Sequence, residues 1–270
     1  MNGWKYDQMN DSAPHQWSYY RSGDQLTGID QNTRLLYHWT GKGFDWNVGF
    51  NLQLAENHTV GMRIEQHKKY DSGYDAWQKT YMTKMIVGKP DSNEETTNVT
   101  EEQLHEHYPY NWEGNAFYNG KVGKLNIDLN IDFLTNKKEE NDDIQESVNL
   151  ENNTMTSDNK TTNQMFADKL VLGYPVWKGM LQVGSEMSRV TRRSFYQITM
   201  DGVPTTDSKV KENSIAAFVE YACQIPKVGS VSAGLRYEHV GFDYKDRINN
   251  DNSLERYTND LFPSFSWANQ

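Results

Sequence analysis

The side chains with most chemistry to offer lie in a few short stretches. Asp128 and Asp132 fall on one face of an alternating segment. At roughly 3.3 Å per extended residue they stand about 13 Å apart. That is too far for a general acid–base pair and too far to share one metal ion. His105 and His107 flank Glu106. On a strand the two imidazoles share a face and could hold a metal, but the surrounding acidic residues read as a solvated segment. Glu139, Glu140, Asp142 and Asp143 form a charge run without the glycine and spacing of a calcium loop, so it too reads as solvated surface. Cys223 is the single cysteine, which excludes an intrachain disulfide and a cysteine-rich metal site. It sits on an oily face beside a short turn and reads as a small apolar side chain. No Ser-His-Asp arrangement, phosphate loop or dinucleotide fingerprint is present. These residues assign no catalytic, cofactor-binding or metal site, and an enzyme is not expected.

The elements carrying these residues are more informative than the residues themselves. In 124–134, Leu125, Ile127, Leu129, Ile131 and Phe133 alternate with Asn126, Asp128, Asn130 and Asp132. Successive side chains of a strand point to opposite faces, so one face is oily and the other polar. The same alternation recurs in Trp46, Val48, Phe50, Leu52 and Leu54; in Val60, Met62 and Ile64; in Ile215, Ala217, Val219, Tyr221 and Cys223; and in Val231, Ala233, Leu235 and Tyr237. The oily face needs hydrocarbon, from a second protein layer or from lipid. Hydrophobic residues make up only 36% of the 270 positions, and mean hydropathy is -0.87. That suits a transmembrane barrel, in which only the outward half of each strand is apolar.

Spacing of the connections favours lipid. Short turns at 55–58, 120–123, 174–179 and 226–229 alternate with long polar stretches at 67–109, 135–162, 197–211 and 247–256. Short turns at one end and long loops at the other is the pattern of an outer-membrane barrel. A strand near 77–87 then belongs to a hairpin rising above the membrane, because an extra crossing would break the alternation. Residues 16–21 and 34–39 read as strand pieces. Segments 46–54, 124–134, 213–223 and 230–240 match the roughly 9–11 residues of a tilted crossing. The expected fold is all-β: an antiparallel up-and-down transmembrane β-barrel, present in part, with about 10 strands. It fills the whole chain as one domain and is clearest over 46–267.

That fold sorts the side chains. Leu125, Ile127, Leu129, Ile131 and Phe133 face lipid. Asn126, Asp128, Asn130, Asp132, Arg63, Glu65, Glu186, Arg236 and Glu238 face the lumen, since Arg or Lys toward lipid at mid-depth costs about 2–4 kcal/mol. Trp46, Trp112, Tyr118, Tyr174, Trp177, Tyr221 and Trp267 recur near strand ends and read as an interfacial girdle forming one level ring. The competing reading makes them sugar platforms on a secreted β-sandwich or adhesin module, which would bury the oily faces against a second sheet. A net charge of -10 argues against nucleic acid as a partner. No run of about 20 apolar residues offers a membrane-spanning helix. Residues 1–10 are polar and lack the oily core of a signal peptide, so an exported protein is expected to begin elsewhere.

The last third carries a family resemblance. Lys211-Glu212-Asn213-Ser214-Ile215-Ala216-Ala217-Phe218-Val219-Glu220-Tyr221 is followed by Gly234-Leu235-Arg236-Tyr237-Glu238 and then Asp260-Leu261-Phe262-Pro263-Ser264. This succession resembles the barrel of TonB-dependent receptors of the Bacteroidetes-type outer-membrane β-barrel family, as do 48–65 and the strand pair within 111–134. The resemblance implies a location in the bacterial outer membrane and a 22-stranded barrel filled by a plug. It also implies uptake of a scarce external solute energised through the TonB complex. On that reading this chain supplies roughly half a barrel, with the plug and remaining strands outside it. Its surroundings are lipid and lipopolysaccharide, its ligand is an unidentified solute, and no cofactor is implied.

Overall fold

The computed structural model describes residues 1–268. Each alternating segment is a strand, and from β3 onward each strand pairs antiparallel with the next one in the chain. They are β1 (Asn2–Ser12), β2 (His15–Ser22), β3 (Gln25–Ala55), β4 (His58–Ile86), β5 (Lys89–Val122), β6 (Leu125–Val148), β7 (Glu151–Val176), β8 (Gly179–Ile198), β9 (Thr206–Ile225), β10 (Gly229–Asp246) and β11 (Leu254–Ala268). All eleven belong to one sheet, with strands from β3 to β11 in sequence order. β1 and β2 both pair with β3, against residues 35–45 and 25–32 respectively. They form one edge strand interrupted at Ala13-Pro14, where proline has no N–H to give the ladder. The sheet is open, bounded by β1 and β2 at one edge and by β11 at the other.

No strand among the described residues packs across any other; each touches its ladder neighbours alone. The oily faces therefore have no second layer of this chain to meet, and the β-sandwich alternative fails on that ground. Buried apolar side chains are confined to Ala76 and Ala216 among the described residues. Val48, Phe50, Leu52 and Leu54 of β3 are 66%, 55%, 52% and 59% exposed. A water-soluble sheet would cover such a patch.

The short connections lie where the sequence places them. The long ones differ from the expected loops. Residues 67–109 are the outer arms of β4 and β5, joined by a tight turn at 87–88. Segment 77–87 is thus the continuation of β4 and not an additional crossing. Residues 135–162 are the arms of β6 and β7, closed by a two-residue turn with positive φ at Asn149 and Leu150. These arms are polar on both faces because water lies on both sides, so they lack the one-sided pattern that marks a half-buried strand. The connection at 247–253 includes a short helical turn, Asn250–Asn252.

Candidate functional site

The register of the ladders shows which side chains share a face. One row runs Leu52, Val60, Tyr118, Leu129, Leu170, Ser185, Ala217, Tyr237 and Leu261 from β3 to β11. The adjoining row, one residue along, runs Asn51, Gly61, Phe117, Asn130, Lys169, Glu186, Ala216, Glu238 and Asp260. Leu125, Ile127, Leu129, Ile131 and Phe133 therefore share one face of the whole sheet. Asn126, Asp128, Asn130, Asp132, Arg63, Glu65, Glu186, Arg236 and Glu238 share the other.

The polar face is the more enclosed of the two. Along β9, Ile215, Ala217 and Val219 are exposed, Phe218 and Glu220 are half-buried, and Ala216 is 2% exposed. Side chains converge on a concave surface and diverge on a convex one, so the sheet curves around its polar side. A soluble domain has the opposite arrangement.

Charges on the concave face are paired across strands. Lys169 Nζ lies 2.8 Å from Glu186 Oε1, and Arg236 Nη2 lies 2.6 Å from Glu186 Oε2. Arg236 Nε also donates to Glu238. Glu186 and Arg236 belong to β8 and β10, so their ion pair crosses β9. Ala216, opposite both Glu186 and Glu238, is small enough to let it cross. Phe218 lies beneath the two cations, with Lys169 Nζ 6.0 Å and Arg236 Cζ 5.9 Å from its ring centre. Its ring leans over Gly184, where a Cβ would stand 2.2 Å away. A second network binds Asp132: Asn115 Nδ2 donates to Oδ1 at 2.6 Å and Asn130 Nδ2 to Oδ2 at 2.9 Å. Arg63 pairs with Glu65 at 2.6 Å. Lys169 and Asn115 were missed by the sequence reading. Strand parity marks both as polar-face residues, but their partners become visible only once the register is known.

Beyond the oily band the same face carries a denser network. Glu106 is bonded by Lys69 at 2.6 Å and Lys138 at 3.1 Å, and Lys138 also pairs with Glu140 at 2.5 Å. Burial pushes the Glu106 carboxyl upward, but its two lysine partners outweigh that and leave it below the ordinary carboxylate range. Asp142 has no such partner, and its Oδ1 is buried without a hydrogen bond among the described residues. Burial, followed by the repulsion of Glu102, Asp143 and Glu140, raises its pKa to about 6. Tyr74 packs tilted against Trp39 and edge to face against Tyr37, with ring centres 4.6 and 5.4 Å apart, and its hydroxyl donates to Glu102. The charge run at 139–143 is thus part of a strand, with Glu140 and Asp142 on this face and Glu139 and Asp143 on the other. His107 sits 2.9 Å from Glu139, and no metal-holding group of three or more His, Cys, Asp or Glu occurs among the described residues.

The end-of-strand aromatics occupy two levels, not the single ring expected. Trp46 and Trp112 sit at the long-arm limit of the oily band, edge to face at 5.5 Å, with Trp46 Nε1 donating to Gln66 at 2.8 Å. Tyr118, Tyr174, Trp177, Tyr221 and Trp267 lie toward the short turns. There Tyr118 Oη is 2.7 Å from His58 Nδ1, Tyr221 Oη donates to the Val176 carbonyl, and Trp267 Nε1 donates to the Val228 carbonyl. A spanning band has two borders with water, so amphipathic rings gather at both. Cys223 lies on the oily face opposite Val231 and is a free thiol. Asp168 departs from the pattern: it sits on the oily face between Ile131 and Met187.

An open antiparallel sheet, oily on its convex side and polar on its concave side, with short turns at one end and long arms at the other, defines the wall of a transmembrane β-barrel. Residues 117–270 match the model of the outer membrane protein beta-barrel family, and the chain belongs to that family. Its location is the bacterial outer membrane. No curated protein sequence matches it. Among solved structures, the outer membrane protease OmpT from Escherichia coli is 11% identical over 88% of this chain and 84% of its own, with a TM-score of 0.28. The unliganded ferric citrate transporter FecA is 9% identical over 97% of this chain and 40% of its own, with a TM-score of 0.36. The translocator domain of the autotransporter NalP from Neisseria meningitidis is 8% identical over 96% of this chain and 81% of its own, with a TM-score of 0.26.

Proposed function

We propose that this chain is barrel wall from a TonB-dependent-type receptor that takes up an external solute. The observation carrying a transport role is the enclosed polar face, where Lys169, Glu186, Arg236 and Glu238 form a paired, hydrated lining. Leu125, Ile127, Leu129, Ile131 and Phe133 then face lipid, and the two aromatic levels mark its borders. The resemblance over 211–264 supports the receptor type. On this reading a plug domain fills the lumen against the polar wall, and the TonB complex supplies the energy. The long arms capture the solute, whose chemistry is unassigned. At the depth of the oily band, Asp132, Glu186 and Glu238 are tied to amides and cations, which supports a non-enzymatic role without a cofactor. The acidic balance of the chain supports a function without nucleic acid. In the test, deletion of the gene is expected to lower uptake of one limiting nutrient, and an uncoupler should erase the difference between deleted and parent strains. Nutrient uptake that depends on the gene but is indifferent to the uncoupler would reject the TonB-type reading.

A further inference from the structure

The convex face changes character abruptly on the long-arm side of β7 to β10. Met187 and Ile215 end its oily rows there, opposite each other. Three successive rows follow on the same face: Phe166, Arg189 and Asn213; then Gln164, Thr191, Lys211 and Asp243; then Thr162, Arg193, Lys209 and Lys245. The ladders from β6 to β10 run without a register shift, so these side chains share a face without interruption. With Arg247, six basic groups gather in this region of a chain whose net charge is -10. The nearby carboxylates are Asp168, beside Met187 in the row adjoining Arg189; Asp243, 3.8 Å from Lys211; Asp207, 3.2 Å from Arg193 and 3.0 Å from Arg247; and Glu255, opposite Asp243. Arg189, Lys209 and Lys245 have no ion-pair partner among the described residues, and Arg189, Arg193 and Lys245 are exposed.

We propose that this basic rim binds the phosphate groups of a phosphorylated glycolipid in the outer leaflet. Position and charge select that occupant. The rim borders the acyl-facing surface on the side of the long arms, which is the external side of an outer-membrane barrel. Lipid headgroup phosphates lie at that level. Arginine offers a fork that matches phosphate oxygens, and clustered lysines add attraction at a membrane surface. Exposed Met187 lies one row below and exposed Phe166 beside Arg189, where the acyl chains of the same lipid would pack. This binding holds whether or not the barrel transports a solute.

The test uses the protein extracted from outer membranes into detergent micelles, titrated with diphosphorylated lipid A and with the same lipid after phosphatase treatment, and read by native mass spectrometry. The phosphorylated lipid is expected to bind about tenfold more tightly, with the advantage shrinking as salt rises. The R189Q/K209Q/K245Q variant should lose that advantage, whereas Arg192→Gln, on the opposite face of β8, should keep it. Three single variants, each expected to lose part of the preference, decide the matter if the triple variant does not fold. Equal affinity of the unmodified chain for the two lipids, or an undiminished preference in the folded variants, would overturn the proposal.

Discussion

At the scale of single residues, the informative groups are those that need a partner on the concave face. Glu186 accepts from Lys169 and Arg236 together, so removing Arg236 frees one of its oxygens and leaves Glu238 without its donor. The side chains are about 30% exposed, and solvent screening reduces what is lost. A double-mutant cycle with Glu186→Gln and Arg236→Gln is therefore expected to give a coupling of about 0.5–1 kcal/mol, measured by denaturant unfolding in lipid vesicles. A coupling indistinguishable from zero would mean the two groups are separately hydrated. Little of this was legible beforehand. Glu186, Arg236 and Glu238 were recognisable as polar-face residues from parity, but the crossing of β9 depends on Ala216, whose small size acquires meaning only between its two acidic neighbours.

At the scale of the strand, alternation and length make separate predictions. Leu129 and Asn130 are adjacent in β6 and face opposite sides. Leu129→Arg should cost about 2–4 kcal/mol when the protein is refolded into vesicles, and Asn130→Arg much less. Similar costs at both positions would contradict the two-faced strand. The arms beyond the band behave differently, because their charges meet water and one another. The Asp142 pKa is raised above its ordinary 3.8 to about 6. A raised carboxyl pKa stabilises the fold fully below about pH 4, and the contribution is lost as pH rises through about 6. Amide exchange in the β5–β6 arm should therefore quicken between pH 4 and 7 beyond the intrinsic base catalysis, and Asp142→Asn should flatten that change. Sequence pattern located the spanning parts of these strands and missed the arms. A strand with water on both faces has no oily period to betray it, and the ladder through 135–162 rests on pairing with a neighbour.

At the scale of the whole molecule, the question is which side of the sheet is wet. Along β10, Ser232 and Gly234 lie on the concave face and Ala233 and Leu235 on the convex face. In a Cys223→Ser background, cysteines at 232 and 234 should react with a water-soluble maleimide in reconstituted vesicles. Those at 233 and 235 should be protected, and lipid-soluble quenchers should reach labels placed there. Uniform labelling along the strand would argue that the sheet does not stand in a bilayer as described. The aromatic residues illustrate the same dependence on the assembled sheet. Each was visible in the sequence as an end-of-strand ring, but two borders instead of one appear only when Trp46 and Trp112 are seen to meet at one limit while Tyr221 and Trp267 meet the other.

The sequence by itself determined the spanning parts of the strands from residue 46 onward, their two faces and the end at which they turn tightly, because side-chain alternation and turn residues are local properties of a chain. Tertiary structure alone decided that the polar face is the enclosed one, that Glu186 reaches Arg236 over Ala216, and that Arg189, Lys209 and Lys245 collect above the oily band. Those facts depend on the register between strands and on the curvature of the sheet, which arise from pairing between segments and are not carried by any one of them.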